Sequence, residues 1–382
     1  MKKIFLIGLI LMLLTGCGTY SGNDVLKKIS NTINDCNSYY LEGTMEIINN
    51  EDTYSYDVNV SYKKDNFYKV DLVNKSNNHE QIILRNSDGV YVVTPNLNKS
   101  FKFQSDWPYN NSQVYLLTSI VSDINNDSKY TSESNDDGYI LTSTVNYPNN
   151  ASLVKQMVYV DKKLNIEKVE ILDTDNRVQI KMEFDDIEFD HKFDEDYFNL
   201  SNIISIDKND TNIDSNDNND TIDNSTNNGS DTDNSGDTSD SNNESTNNET
   251  SNDTDVQDDS DSNDTKSTAT IDDVIYPMYL PTNTYLADKK TVDTDNGQRL
   301  LLTFDGDSSF ILIEETSGDS DKDLIMPVSG NIDFVSDVIA VVGDSSVTWT
   351  AGGIDYYIAS ENLDVNELLK VARSISTLPV SK

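Results

Sequence analysis

The stretch from Asp207 to Lys266 places the strongest constraint on how this 382-residue chain folds. It consists almost entirely of Asp, Asn, Ser and Thr, with eighteen acidic and two basic residues in sixty positions. Its only aliphatic residues are Ile213, Ile222 and Val256. So little apolar surface does not offset the entropy of ordering a backbone. The sequence therefore predicts a disordered acidic linker over residues 204–270, which holds two folded regions apart.

The overall charge restricts the possible partners. A formal net charge of -39 argues against nucleic acid, because phosphate contacts need Lys and Arg, and against electrostatic adhesion of the chain to anionic lipid. Two cysteines exclude a disulfide scaffold, and two histidines argue against a multi-histidine metal site. We therefore expect no metal and no cofactor.

The first seventeen residues predict the compartment. Lys2 and Lys3 precede an apolar run from Ile4 to Leu14, which has the length of a signal-peptide core, so residues 1–16 are predicted to be a signal peptide. The end of this segment resembles the bacterial lipobox, with Leu14, Thr15, Gly16 and Cys17. The Cys17 thiol would then carry a diacylglycerol with fatty-acyl chains such as palmitate, and would anchor an extracytoplasmic protein to the cell membrane. The alternative is an uncleaved signal anchor.

Residues 17–203 are predicted to form an α+β domain. Val25, Ile29, Ile33 and Cys36 follow helical spacing behind a cap at Asn23, and Cys36 is interpreted as a small core residue. Period-two strands follow, and a second amphipathic helix is predicted over residues 113–124. This pattern predicts a large curved antiparallel sheet, a half-barrel with two covering helices, which can enclose a hydrophobic cavity.

Residues 271–382 are predicted to form a second, small α+β domain. An extended segment around Tyr276 precedes a hairpin at residues 305–307, three further strands and a closing helix. Asp364 and Glu367 have the spacing of a capping box at the start of that helix.

We find no motif for catalysis in the sequence, so we expect a protein that is not an enzyme. His79 and His191 are interpreted as surface residues, and carboxylate pairs arise by chance in so acidic a chain. The aromatic residues allow two interpretations: they build the inner face of the sheet, or some of them line a cavity or a partner-binding groove. The candidates for such contacts are Tyr62, Tyr68, Phe101, Phe103, Trp107 and Pro108. Trp107-Pro108 is the first choice, because it precedes the second helix, at the mouth of the expected cavity.

Three stretches carry a family resemblance: residues 57–84, 85–108 and 112–124. They resemble the YdcC/GerS-like sporulation and germination lipoproteins of spore-forming Firmicutes. That group is similar in fold to the carriers LolA and LolB and to the regulator RseB. The C-terminal region resembles a small domain of unknown function in Firmicute lipoproteins, through Val347, Trp349 and Gly352-Gly353.

This resemblance implies a membrane-anchored binding or scaffold protein in sporulation or germination, with a protein partner related to the spore cortex. A lipid, acyl-chain or lipoprotein carrier is one alternative. An envelope-stress sensor that acts on an anti-sigma factor, as the RseB likeness implies, is another.

Overall fold

The computed structural model describes residues 20–49, 52–97, 99–103, 107–108, 112–204, 271, 274–294, 297–317 and 324–375. The signal peptide, Cys17 and most of the acidic linker lie outside these ranges, so those assignments stay predictions. Within the described ranges, no helix is both long and apolar enough to cross a membrane.

The described residues of the N-terminal region form two long helices, a short 3-10 turn at Pro95–Leu97, eleven strands and a helical turn over residues 200–204. In chain order these are α1 (Gly22–Asp35), β1 (Ser38–Asn49), β2 (Asp52–Lys63), β3 (Phe67–Asn74), β4 (Glu80–Asn86), β5 (Gly89–Thr94), β6 (Lys99–Phe103), α2 (Leu117–Asn126), β7 (Thr131–Ser134), β8 (Gly138–Thr144), β9 (Leu153–Asp161), β10 (Ile166–Asp173) and β11 (Val178–Phe189).

Eight strands and a closing helix are seen in the described residues of the C-terminal region. These are β12 (Thr284–Thr294), β13 (Gly297–Gly306), β14 (Phe310–Thr316), β15 (Leu324–Val328), β16 (Asn331–Val335), β17 (Val338–Val342), β18 (Ser346–Ala351), β19 (Ile354–Ala359) and α3 (Val365–Arg373).

Helix α1 buries the apolar face that the sequence predicts. Its cap, however, is Ser21 rather than Asn23: the Ser21 hydroxyl accepts a hydrogen bond from the backbone N–H of Asp24, and Asn23 lies within the first turn. Cys36 is buried at the end of the helix, and its thiol donates to the Ile33 carbonyl oxygen at 3.0 Å. Burial also raises the pKa of this thiol, which confirms Cys36 as a core residue.

Helix α2 begins four residues later than predicted. Leu116 has extended backbone angles, so residues 113–116 do not join the helix. The backbone N–H of Gln113 instead donates to the Ser119 hydroxyl at 2.9 Å. This leaves Val114 and Tyr115 free to enter the core from an irregular segment rather than from a helix face.

One face of the large sheet is covered by helices, and the other is covered in part. Its strand order is β15-β6-β5-β4-β3-β2-β1-β11-β10-β9-β8-β7. Helices α1 and α2 pack on one face, where Val25, Ile83 and Ile120 belong to the same core cluster. On β4 and β5 the alternate residues point to the other face, which the segment 193–204 covers through Phe198. The predicted fold class, α+β with a large curved antiparallel sheet and covering helices, is confirmed.

The C-terminal region forms a seven-stranded antiparallel sheet in the order β12-β13-β14-β19-β18-β17-β16. Helix α3 packs on it through Leu368 and Leu369. The Asp364 carboxylate caps this helix by accepting from the backbone N–H of Glu367 at 2.9 Å, as the sequence predicts. The C-terminal region therefore has the small α+β architecture that the sequence predicts.

The two folded regions are joined rather than held apart. Strand β15 leaves the C-terminal region and pairs in parallel with β6, so it becomes the edge of the large sheet. The chain returns to the smaller sheet at Gly330, where a Cβ atom would lie 2.4 Å from the Val342 carbonyl oxygen. The expectation that the acidic linker separates the two regions is therefore wrong for the described residues, which form one compact unit.

Strand β17 shows how the contact is built. All five of its residues, Val-Ile-Ala-Val-Val, are buried. Val338, Ala340 and Val342 face the core of the C-terminal region, whereas Ile339 and Val341 belong to the core beneath the large sheet. A strand that is buried on both faces has a continuous apolar sequence instead of an alternating one.

Candidate functional site

Aromatic side chains form a continuous row inside the large sheet. The ring centroids of Tyr39 and Tyr62 lie 4.9 Å apart, and those of Tyr62 and Tyr68 lie 5.0 Å apart. Trp107 meets Tyr68 edge-on at 6.0 Å. These are favourable separations for aromatic pairs, so the row stabilises the inner face of the sheet.

Most of the predicted contact residues are buried in this row or beside it. Trp107 is only 4% exposed. Phe101 and Phe103 are also buried, and Tyr62 is partly buried. Pro108 lies next to Trp107 and is partly exposed. The structure therefore places these side chains in the core, and a role for them in contacting a ligand or a partner stays a prediction.

A cavity of about 160 Å³ lies where the C-terminal region meets the large sheet. Ile47 of β1 and Ile180 of β11 line it from the sheet, and Ile332 and Phe334 of β16 line it from the C-terminal region. The cavity is thus shared between the two regions, at the end of the sheet where β1 finishes.

Several polar groups surround this junction cavity. The Arg373 guanidinium lies 3.6 Å from the Asp333 carboxylate, and its Nε donates to the Phe334 carbonyl oxygen at 3.2 Å. Burial raises the pKa of Asp123 to about 6, although the Ser112 hydroxyl opposes this shift by hydrogen bonding. The ion pair and the hydrogen bond of Arg373 hold β16 to the closing helix α3 beside the cavity.

A second cavity, of about 470 Å³, lies at the opposite end of the sheet under α1. Its apolar lining comes from α1, α2, the β9–β10 turn and β11, and includes Ile29, Ile33, Leu164, Ile166 and Ile187. Lys28 and Lys163 also line it. Its volume is in the range of pockets that hold small organic ligands. None of the six predicted contact residues lines either cavity.

The smaller sheet exposes a long edge. Strand β12 is its terminal strand, and its residues are exposed along nearly the whole length. Large apolar side chains are exposed on this strand and on the extended segment before it, with Met278 85% and Tyr285 58% accessible. Exposed apolar groups beside a strand edge are typical of a protein-interaction surface. The sequence pattern predicts no strand at residues 284–294, so this surface was not expected from it.

The two histidines lie outside these cavities. His191 pairs with Glu188 at 2.8 Å, and its ring packs on Tyr40. His79 is half-buried, and burial lowers its pKa. In the described part of the chain, no group of three or more His, Cys, Asp or Glu residues is arranged to hold a metal ion.

In the part of the chain that the structure describes, the fold and these sites define a class of protein: a helix-covered curved sheet with a cavity at each end, extended by a small sheet with an open edge. The sequence model of the sporulation protein YdcC-like family matches residues 1–198, and the chain belongs to this family.

One relative has nearly the same length as this chain. The chain is 29% identical over 383 residues to the sporulation protein YdcC of Bacillus subtilis (strain 168), and the alignment covers 98% of each protein. Among solved structures, it is similar to the MucA/MucB complex of Pseudomonas aeruginosa, with 11% identity, 92% and 97% coverage and a TM-score of 0.30. It is also similar to a LolA superfamily protein from Nitrosomonas europaea, with 13% identity, 48% and 100% coverage and a TM-score of 0.28.

Proposed function

We propose that this protein is a membrane-anchored, extracytoplasmic scaffold of sporulation or germination that binds a protein partner and is not an enzyme. Its family membership supports the developmental role. The observation that carries the scaffold role is the edge of β12, which pairs with no further strand of the described residues, with the exposed apolar side chains beside it. We propose a partner that acts on the spore cortex.

The anchor is proposed to be the lipid on Cys17. The lipobox-like residues 14–17 support it, together with the signal-peptide pattern before them. Metabolic labelling with a fatty acid is expected to tag the wild-type protein and to spare the Cys17→Ala variant. A wild-type protein that stays unlabelled and free of membranes would contradict the anchor.

The partner surface is proposed to include Met278, Tyr285 and the backbone edge of β12. An edge strand offers unpaired N–H and C=O groups to an extended segment of a partner, and neighbouring apolar side chains add contact area. Lys289 and Lys290 near the middle of β12 protect the free edge against self-association, because a bare edge strand invites aggregation.

Affinity capture of the full chain from sporulating cells tests this surface. The double variant Met278→Ser/Tyr285→Ser is expected to lose a partner that the wild type retains. The matched control is Tyr357→Ser, which changes an exposed tyrosine on β19 of the same sheet. Circular dichroism is expected to be unchanged in all three proteins. Equal capture by the double variant and the control would contradict the proposed surface.

A second candidate function, acyl-chain or lipid binding, is favoured by the 470 Å³ cavity under α1. Its lining is mainly apolar, and the ammonium groups of Lys28 and Lys163 suit an anionic headgroup. A tethered protein would hold such a ligand close to the membrane instead of carrying it over a long distance.

Two substitutions on β11 separate the two cavities. Ile187→Trp fills the cavity under α1, whereas Ile180→Trp fills the junction cavity at the other end of the strand. Displacement of a fluorescent fatty acid measures binding. We expect Ile187→Trp to abolish binding and Ile180→Trp to preserve it. A wild-type protein without measurable affinity for the fatty acid would contradict this second function.

A further inference from the structure

The described chain begins at one defined end of the large sheet. The backbone N–H of Tyr20 donates to the Tyr139 hydroxyl at 3.0 Å, and the Lys28 ammonium lies 4.0 Å from the centre of the Tyr20 ring. Tyr139 pairs in register with Val160, the residue just before the β9–β10 turn. Because Lys28 and Lys163 line the same cavity, Tyr20 and both lysines lie at the same end of the sheet.

Only two residues separate Tyr20 from Cys17. Three Cα–Cα steps span at most about 11 Å, so a lipid on Cys17 would hold Tyr20 at the bilayer surface. Charges at this end would lie within about one Debye length of the headgroups, where they interact with little screening. Tyrosine and lysine side chains both favour the membrane–water interface.

The C-terminal region covers the opposite end of the sheet. On β1, Tyr39 pairs with Phe189 beside the cavity under α1, whereas Ile47 pairs with Ile180 beside the junction cavity and the C-terminal region. Eight residue steps along an extended strand lead from Tyr39 to Ile47, a distance of about 27 Å. The anchored end and the C-terminal region therefore lie at opposite ends of the same strands.

We propose that the end of the sheet bearing Tyr20, Lys28 and Lys163 faces the membrane and that its two lysines contact anionic phospholipid headgroups. This orientation rests on the proposed anchor at Cys17. It places the cavity under α1 at the membrane-facing end and displays the C-terminal region on the side away from the bilayer.

Acidic groups at this end limit the attraction to the two lysines. Asp24 is hydrogen-bonded by the Ser21 hydroxyl at 2.6 Å, and Asp161 accepts from the backbone N–H groups of Lys163 and Asn165 at 2.8 Å. The β7–β8 turn adds residues 136–137, both Asp. The contact is therefore local, and it is compatible with the strongly acidic chain as a whole.

Fluorescence quenching on vesicles tests the orientation. The full chain is reconstituted through its lipid into phosphatidylglycerol vesicles whose headgroups carry a nitroxide quencher. One form carries a fluorophore at Lys162→Cys, in the turn next to Lys163, and the other carries it at Asn331→Cys on β16; both side chains are exposed, and Cys36 is buried. We expect strong quenching at residue 162 and little or none at residue 331.

Charge substitutions test the lysine contact. Lys28→Gln/Lys163→Gln is expected to lower quenching at residue 162 on phosphatidylglycerol vesicles but not on phosphatidylcholine vesicles. The control Lys75→Gln/Lys370→Gln, at two exposed lysines away from this end, is expected to change neither. Vesicle-bound protein with equal quenching at both positions would overturn the orientation and leave the anchor intact. A loss of quenching in the control that matches the Lys28/Lys163 variant would overturn the lysine contact. Absence of vesicle association in both labelled forms would overturn the anchor and the orientation together.

Discussion

Gln81 on β4 forms two hydrogen bonds with the backbone of Ile339 on β17. Its Oε1 accepts from the Ile339 N–H at 2.5 Å, and its Nε2 donates to the Ile339 carbonyl oxygen at 3.4 Å. Gln81 is only 5% exposed. A single side chain thus supplies the partners that a neighbouring strand would supply, and it joins two regions that the acidic linker separates in the sequence.

Replacement of this glutamine is expected to weaken the whole unit. Gln81→Leu leaves the Ile339 N–H and C=O buried without partners, which costs about 1–3 kcal/mol in free energy of unfolding. Urea denaturation measures this loss. The control is Gln179→Leu, because the Gln179 amide bonds to Asp173 at a partly exposed position, and its effect is expected to be smaller. Equal stability of Gln81→Leu and the wild type would contradict the role of Gln81 in joining the two regions.

An ion pair between Lys99 of β6 and Asp355 of β19 holds the same two regions together. Its Nζ–O distance is 2.5 Å, and the Lys99 side chain is only 9% exposed. Asp355→Asn leaves a nearly buried ammonium without its counter-charge, so we expect a loss of about 2–4 kcal/mol. Lys99→Met in addition to Asp355→Asn is expected to restore part of this loss.

A double-mutant cycle by urea denaturation measures this coupling. The exposed pair Arg299–Glu315, at 2.8 Å, serves as the comparison, and its coupling is expected to stay below about 1 kcal/mol. If the Lys99–Asp355 coupling were no larger than that of the exposed pair, the contact between the regions would be weaker than the structure implies.

The buried carboxyl group of Glu314 predicts a dependence of stability on pH. Burial raises its pKa to about 7 from an ordinary value of 4.5. The folded protein therefore binds more protons than the unfolded chain between pH 4.5 and 7, and the free energy of unfolding falls as the pH rises through this window. Above pH 7, this fall in the free energy of unfolding is complete.

Glu314→Gln is expected to remove this loss. Between pH 5 and pH 8 the variant is expected to lose roughly 1–3 kcal/mol less stability than the wild type, as measured by urea denaturation at each pH. Asp123→Asn is the comparison. Since the pKa of Asp123 is about 6, its substitution is expected to affect only the lower part of the window. Parallel pH profiles for Glu314→Gln and the wild type would rule out the assignment.

Substitution of Trp107 tests whether this residue stabilises the core or contacts a partner. Because its ring is buried against Tyr68, Trp107→Ala is expected to lower the free energy of unfolding by about 3–5 kcal/mol, and Trp107→Phe by less. Tyr357→Ala, at an exposed position, is expected to change it by less than about 0.5 kcal/mol. A fully stable Trp107→Ala protein that fails to capture the partner would instead assign this residue to partner binding.

The sequence predicts most of the strands of the large sheet because their alternation is regular. Residues 54–62 of β2 show it clearly, and burial alternates accordingly over residues 56–60. Strand β1 is not predicted, although Tyr39, Leu41 and Met45 alternate on its buried face, because Gly43 between them contributes no apolar side chain to the pattern. At Gly43 a Cβ atom would lie 2.2 Å from the Glu183 carbonyl oxygen, so the position requires glycine. Local pattern alone does not show such a close approach between strands.

The joint between the two regions is harder to predict, because its partners are far apart in sequence. Gln81 and Ile339 are separated by 258 positions, and the long acidic linker favours an interpretation as independent domains. One local signal was available. The uninterrupted apolar run of β17 indicates a strand covered on both faces, and the C-terminal region by itself supplies a core for only one of them.

The candidate sites also differ in how far the sequence predicts them. The row of aromatic side chains follows from strand alternation, and its burial follows from packing under α1 and α2. Neither cavity is visible in the sequence, since each is lined by residues from distant elements. The exposed β12 edge was missed because its sequence reads as a polar loop with scattered apolar residues.

Site-specific photo-crosslinking in sporulating cells tests the central claim, that this protein is a scaffold whose β12 edge binds a protein partner. A photoreactive amino acid replaces Tyr285 in one strain and Tyr357 in another, so that both probes lie on the same small sheet. The account predicts one discrete crosslinked partner of the envelope or spore from position 285 and none from position 357. No crosslink from position 285, or the same products from both positions, would contradict it.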